Sequence, residues 1–96
     1  MNGEVEERVV ALPVRLDVGT SAEVRHEIHR ALDEHEGDVV LDLSAVEVVD
    51  AAGLGVLVGL RRRAYEDGRE VVLRETPPRV VRLLNATRLS RLFVLD

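Results

Sequence analysis

The sequence has no cysteine, no lysine, no tryptophan and only two aromatic residues, Tyr65 and Phe93. Without thiols it can form neither a disulfide framework nor a thiolate metal site, and its redox compartment is left open. The shortage of aromatic rings removes the platforms on which proteins stack unpaired bases, so we expect no direct nucleic-acid partner. The core must therefore be aliphatic, built from Val, Leu, Ile and Ala.

Long apolar runs are also missing. No stretch is long enough to span a bilayer, and the acidic residues 1–7 lack the basic region that opens a leader peptide. We therefore expect a soluble, cytoplasmic protein without membrane insertion. A chain of 96 residues suits one domain. We place that domain over residues 1–96, with residues 1–7 as a flexible start.

Each half of the chain is poor in charges of one sign: positive charges are scarce in the first half and negative charges are scarce in the second. Residues 1–50 carry four arginines against thirteen acidic residues, whereas residues 51–96 carry nine arginines against five acidic residues. Such asymmetry can mark oppositely charged faces for a partner, or two halves that neutralise each other within one domain. We favour neutralisation.

A first helix is predicted from residue 21. Thr20 and Glu23 have the spacing of a capping box, in which each side chain satisfies the other residue's backbone N–H. Apolar residues then recur at helical spacing, and Gly37 is predicted as the C′ residue that ends the helix. The last residue of the apolar stripe, His35, is predicted to be a hydrogen-bonded structural histidine. The stripe consists of Val24, Ile28, Ala31, Leu32 and His35.

Apolar runs rich in valine and leucine are predicted as strands at residues 8–16, with a kink at Pro13, and at residues 39–43, 70–74 and 92–95. A central helix begins after Asp50, and a short third helix begins with Thr76 as its N-cap and prolines in its first turn. The order β-β-α-β-α-β-α-β predicts a single α/β domain: a mostly parallel, four- to five-stranded sheet with helices packed against it. We expect one core that contains Val24, Ile28, Leu32, Val39, Leu41, Leu43, Leu57, Leu73 and Leu84.

The start of the central helix is the predicted functional surface. Asp50 can cap the helix, because its carboxylate can accept a backbone N–H two or three residues on. Ala51, Ala52 and Gly53 should leave the first turn nearly bare, so that the backbone of a partner or an anion could approach closely. No catalytic group lies there, and no hydroxyl has an adjacent histidine to activate it. We therefore predict no enzymatic activity.

Three motifs that suggest cofactors or ions have plainer interpretations. Gly53-x-Gly55 lacks the third glycine of a dinucleotide-binding loop, because that position is Val58. His26 and His29 lie on the solvated face of the first helix without an evident third ligand, which argues against a metal site. The three arginines at 61–63 span nearly a full helical turn and point in different directions. We expect no cofactor and no metal.

The segment Asp42-Leu43-Ser44-x-Val46-x-x-Val49-Asp50-x-x-Gly53-Leu54-Gly55 resembles the central motif of STAS domains, and most closely that of bacterial anti-sigma factor antagonists. Two further segments support the resemblance. Leu12-x-x-x-Leu16-Asp17-x-x-Thr20 is similar to the family's passage from strand to first helix, and residues 77–92 are similar to its third helix and last strand. Val14 departs from the family, which frequently has glycine there.

The resemblance implies a non-enzymatic, protein-binding module that regulates transcription by partner switching. Its partner would be an anti-sigma factor that is also a serine kinase with a histidine-kinase-like ATPase fold, and a homodimer is left open. The family's phospho-acceptor position falls on Ala52, which has no hydroxyl to phosphorylate. The alternative is a STAS scaffold or accessory subunit of a lipid-transport ATPase complex or of a sensory assembly. The implied partner-binding residues are Asp17, Thr20, Asp50, Ala51, Ala52, Gly53 and Leu54.

Overall fold

The computed structural model describes residues 8–96, in which short parallel strands alternate with three α-helices. The residues predicted to form a flexible start, 1–7, lie outside the described part. In chain order the elements are β1 (Arg8–Ala11), β2 (Arg15–Leu16), α1 (Ser21–Glu34), β3 (Val39–Asp42), β4 (Val48–Val49), α2 (Ala51–Glu66), β5 (Val71–Arg74), α3 (Pro78–Ala86), a 3-10 turn (Ser90–Leu92) and β6 (Val94–Leu95).

The main sheet has the strand order β1-β3-β5-β6, and every neighbouring pair is parallel. Parallel neighbours need long crossovers, and here each crossover between sheet strands contains a helix or the 3-10 turn. β3 lies between β1 and β5, and its residues Val39, Val40 and Leu41 are all buried, as expected for an apolar strand inside a parallel sheet. The predicted α/β architecture with a mostly parallel sheet is confirmed.

A second, two-residue ladder pairs β2 with β4 outside the main sheet. Arg15 lies opposite Val48 and Leu16 opposite Val49, again in parallel. β4 was not predicted, because two residues are too few to show an alternating pattern. Because the strands run in the same direction, the residues that follow them, Asp17 and Asp50, leave the ladder at the same end.

The core lies between the main sheet and the helices that cover it, and it is entirely aliphatic apart from Phe93. All nine residues predicted for the core belong to one buried cluster. In α2 the inward side is formed by Gly53, Val56, Leu57, Leu60 and Ala64, which recur at helical spacing.

The predicted capping box at the start of α1 is wrong. Thr20 is the N-cap residue, but its side chain makes no cap hydrogen bond. Its hydroxyl instead donates to the carbonyl of Arg15 at 2.8 Å and accepts from the N–H of Asp17 at 3.1 Å. The hydroxyl thus satisfies one backbone carbonyl of β2 and one N–H of the turn that follows β2.

The predicted ends of two helices are also wrong in detail. α1 ends at Glu34, and His35 leaves it in an extended conformation, so no left-handed residue is needed and Gly37 has no positive φ. The Nε2 atom of His35 is buried without a hydrogen-bond partner, contrary to expectation. α3 is capped by Pro77 and not by Thr76. Pro77 precedes another proline, which drives its ψ to 147° and out of the helix.

Candidate functional site

The β2–β4 ladder brings together two loops that are far apart in the sequence. The N–H of Asp50 donates to the carbonyl of Leu16 at 3.3 Å, and the N–H of Val18 donates to Oδ2 of Asp50 at 3.1 Å. The loop before α1 and the first turn of α2 therefore form one continuous surface. We call residues 17–20 and 50–54 the junction surface; it contains all seven residues that the resemblance marks for partner binding.

Asp50 is the N-cap of α2, as predicted, and it also braces the two loops. Its Oδ1 accepts a hydrogen bond from the N–H of Gly53 at 2.9 Å, while its Oδ2 accepts one from the N–H of Val18. These hydrogen bonds favour the charged carboxylate, and they hold the pKa of Asp50 below its ordinary value, with the bond from Gly53 as the largest cause. The negative charge also lies at the positive end of the helix dipole.

Asp17 and Thr20 shape the loop on the other side of the junction surface. The Oδ1 atom of Asp17 accepts the N–H of Gly19 at 2.9 Å, and its Oδ2 pairs with Nε of Arg15 at the same distance. The Asp17 side chain is only 14% exposed, so its carboxylate is largely used within the loop. The two residues thus fix the backbone of the surface more than they offer free polar groups.

The first turn of α2 is less bare than expected. Ala51 is exposed and Ala52 is half-buried, but Gly53 is buried and Leu54 packs against the core. A Cβ atom on Gly53 would lie 2.0 Å from the carbonyl oxygen of Leu16. The expectation that Gly53 leaves space for a partner is therefore wrong: the close approach that this glycine permits is to the chain's own β2.

Val18 belongs to the junction surface and was missed by the sequence-based prediction. Its side chain is 77% exposed, and its N–H is bonded to Asp50, so its backbone lies beside the first turn of α2. The available signal was a valine inside the turn Asp17-Val18-Gly19, where a polar residue is usual. An exposed apolar side chain at this point adds contact area to the small residues of α2.

One histidine, His29, takes part in a contact between helices. Nδ1 of His29 lies 2.7 Å from Nη1 of Arg63, which connects α1 to α2, and Arg63 also pairs with Asp33. Burial, followed by the nearby Arg63 charge, lowers the pKa of His29. His26 is exposed. Within residues 8–96, no group of three or more His, Cys, Asp or Glu side chains could hold a metal ion.

None of the helices within residues 8–96 combines the length and the apolar character that a membrane crossing requires.

Comparison with known proteins identifies the class. The family model described as STAS domain matches residues 2–96, so this chain belongs to the STAS domain family. Within the family, a curated relative is the anti-sigma F factor antagonist of Paenibacillus polymyxa. It is 31% identical over 85 residues, which cover 88% of this chain and 73% of the relative. The chain is thus a STAS domain of the anti-sigma factor antagonist type.

Solved structures agree with the fold. An anti-sigma-factor antagonist (STAS) domain protein from Planctomyces limnophilus has a TM-score of 0.81 and 21% identity, over 96% of this chain and 86% of that one. The phosphorylated form of the Bacillus cell fate determinant SpoIIAA has a TM-score of 0.71 and 17% identity, over 100% of this chain and 87% of that one. At these identities the similarity concerns the fold alone.

Proposed function

We propose that this protein is a non-enzymatic, cytoplasmic regulator that binds an anti-sigma factor through the junction surface and so acts on transcription by partner switching. The partner we propose is also a serine kinase with a histidine-kinase-like ATPase fold. One observation carries the proposal: in a chain of the antagonist type, Asp50 joins the exposed Val18 to the first turn of α2 by hydrogen bonds. The result is a hydrogen-bonded, partly apolar surface that includes the exposed Ala51.

The proposal includes the loss of the usual switch at Ala52. A phosphoserine at this position would add about −1.5 to −2 charges to the first turn of α2. Asp50 already carries a negative charge there and accepts two N–H groups of the junction surface. A phosphate would compete for the same donors and repel the carboxylate. With alanine, no such change occurs, and the protein binds its partner constitutively.

The binding experiment compares two substitutions by arginine at opposite ends of α2. Each purified anti-sigma factor from the same genome is titrated with wild type by isothermal calorimetry, and the one that binds is titrated with Ala51→Arg and Glu66→Arg. We expect Ala51→Arg to abolish binding, because its long charged side chain occupies the junction surface. Glu66→Arg, at an exposed position at the far end of the helix, should bind as wild type does, and both should unfold at the wild-type temperature.

Two results would contradict this function. Undiminished affinity of Ala51→Arg would place the interface elsewhere. If no anti-sigma factor binds wild type while a transporter ATPase subunit or a sensory assembly does, the protein is a scaffold subunit.

The constitutive state is tested with Ala52→Ser. Wild type and Ala52→Ser are each incubated with the cognate kinase and ATP, and phosphate is located by mass spectrometry. We expect phosphate only on the serine of the variant, together with release from the kinase. Phosphorylation and release of wild type at Ser44 or Thr20 would show that control has moved to another hydroxyl. A variant that binds but gains no phosphate would show that the surrounding site has diverged as well.

A further inference from the structure

A groove next to the junction surface is not used by the function proposed above. It runs between α3 and the segment that leads into β4, and its volume is about 360 Å³. A second hollow of about 390 Å³, towards Ser44 and Pro77, shares three residues with it. The first hollow is lined by Val49, Val80 and Leu83 and edged by Glu47, Arg79 and Arg82.

Two arginines on one side of α3 form the rim of the groove. Arg79 and Arg82 are three residues apart, which places them next to each other on the helix surface, and both are exposed. Nη1 of Arg79 donates to the carbonyl of Glu47 at 2.9 Å and so fixes the width of the groove. A guanidinium has five N–H donors, so this single bond leaves Arg79 able to bind a ligand.

The lining and the rim together define the chemistry of an occupant. Val49, Val80 and Leu83 offer an apolar floor, whereas the rim carries two guanidinium groups and one carboxylate. Guanidinium groups pair with carboxylates by two parallel hydrogen bonds, and they desolvate more readily than ammonium groups do. The groove therefore fits a peptide segment whose apolar side chains are flanked by Asp or Glu.

The groove is continuous with the junction surface. Val49 forms part of the floor and is followed directly in the chain by Asp50, the N-cap of α2. Val49 is also held opposite Leu16 in the β2–β4 ladder, so the groove cannot shift independently of that surface. A partner that covers Ala51 and Val18 has the groove within reach of its next segment.

We propose that this groove binds a second segment of the anti-sigma factor, which places apolar side chains on Val49, Val80 and Leu83 and carboxylates on Arg79 and Arg82. The inference rests on the proposed function and extends it. It makes α3 part of the interface and assigns the positive charge of this part of the chain to partner recognition.

The test uses the anti-sigma factor that binds wild type in the calorimetric experiment. We expect Arg82→Glu to lower affinity by at least about tenfold, because one partner of a charge pair is reversed. The matched control is Arg91→Glu, which reverses another exposed arginine, in the 3-10 turn, and should bind as wild type does. A scan that replaces each Asp or Glu of the partner by Arg should contain one variant that restores binding to Arg82→Glu.

The outcomes separate the two proposals. If Ala51→Arg loses binding while Arg82→Glu keeps the wild-type affinity, the groove is not an interface and the proposed function stands. An equal loss in Arg82→Glu and Arg91→Glu would mean a diffuse charge effect, and it would overturn the groove proposal. Should no anti-sigma factor bind wild type, both proposals fall. Urea unfolding of each variant verifies that folding is unchanged.

Discussion

The contact between Gly53 and β2 gives the sharpest test of how the junction surface is built. In Gly53→Ala the new Cβ would lie 2.0 Å from the carbonyl oxygen and 2.8 Å from the carbonyl carbon of Leu16. Both are backbone atoms of a residue that is paired in the β2–β4 ladder, so no side-chain rotation relieves the clash. Either α2 or β2 must move.

The size of the effect follows from two opposing terms. Replacing glycine by alanine within a helix stabilises the folded state by about 0.8–1 kcal/mol. Overpacking of a well-packed site costs about 1–3 kcal/mol, and a backbone clash belongs at the upper end of that range. We therefore expect Gly53→Ala to lower the free energy of unfolding by about 2 kcal/mol, which for a domain of this size lowers Tm by about 8–16 °C.

Gly55→Ala is the matched control in the same helix. Its added Cβ meets nothing within 4 Å beyond its own helix, so only the favourable term remains. Gly55→Ala should therefore raise stability by about 0.4–1 kcal/mol. Urea unfolding followed by far-UV circular dichroism measures both variants. The reasoning is refuted if Gly53→Ala is as stable as wild type, or if the two substitutions change stability in the same direction.

Two further predictions concern stability. Leu41→Ala should cost about 2–5 kcal/mol, because Leu41 is fully buried in the central strand; a loss well under about 1 kcal/mol in urea unfolding would contradict the burial. The second prediction is that Asp50 makes the free energy of unfolding depend on pH. Because its pKa is lower in the folded state, its charged form stabilises the fold above the unfolded pKa of about 3.9, and this contribution disappears as pH falls through the folded pKa. The stability difference between wild type and Asp50→Asn should be constant above about pH 5 and shrink below about pH 4, and a constant difference down to about pH 2 would refute the assignment.

Features that depend on residues close in the sequence were predictable. The apolar spacing in α1 identified Val24, Ile28 and Leu32 as core residues, and Asp50 was identified as the cap of α2 because a cap needs only its own next turn. The order of strands and helices fixed the parallel sheet, because parallel neighbours require crossovers.

Features that depend on distant residues were not predictable from local patterns. Thr20 and Glu23 satisfy the capping-box pattern, yet the Thr20 hydroxyl is taken by the backbone of the preceding turn. Gly53 was predicted to leave space for a partner, because nothing in the adjacent sequence indicates that the backbone of Leu16 lies against it. The importance of Val18 depends on its bond to Asp50, 32 residues away. The resemblance predicts where the proposed site lies, but these contacts decide which of its residues are exposed.

The two-residue β2–β4 ladder makes the proposed binding surface depend on the fold as a whole. It joins segments separated by α1 and β3, so the entropy of closing that long loop must be offset before the surface exists. No fragment that lacks either segment can present the surface, and an unfolded chain has no affinity for the partner. The apparent Kd therefore equals the intrinsic Kd divided by the folded fraction. A core substitution that leaves a sizeable fraction of the molecules unfolded would therefore weaken partner binding without changing the junction surface, and a saturating partner would raise the melting temperature of the protein.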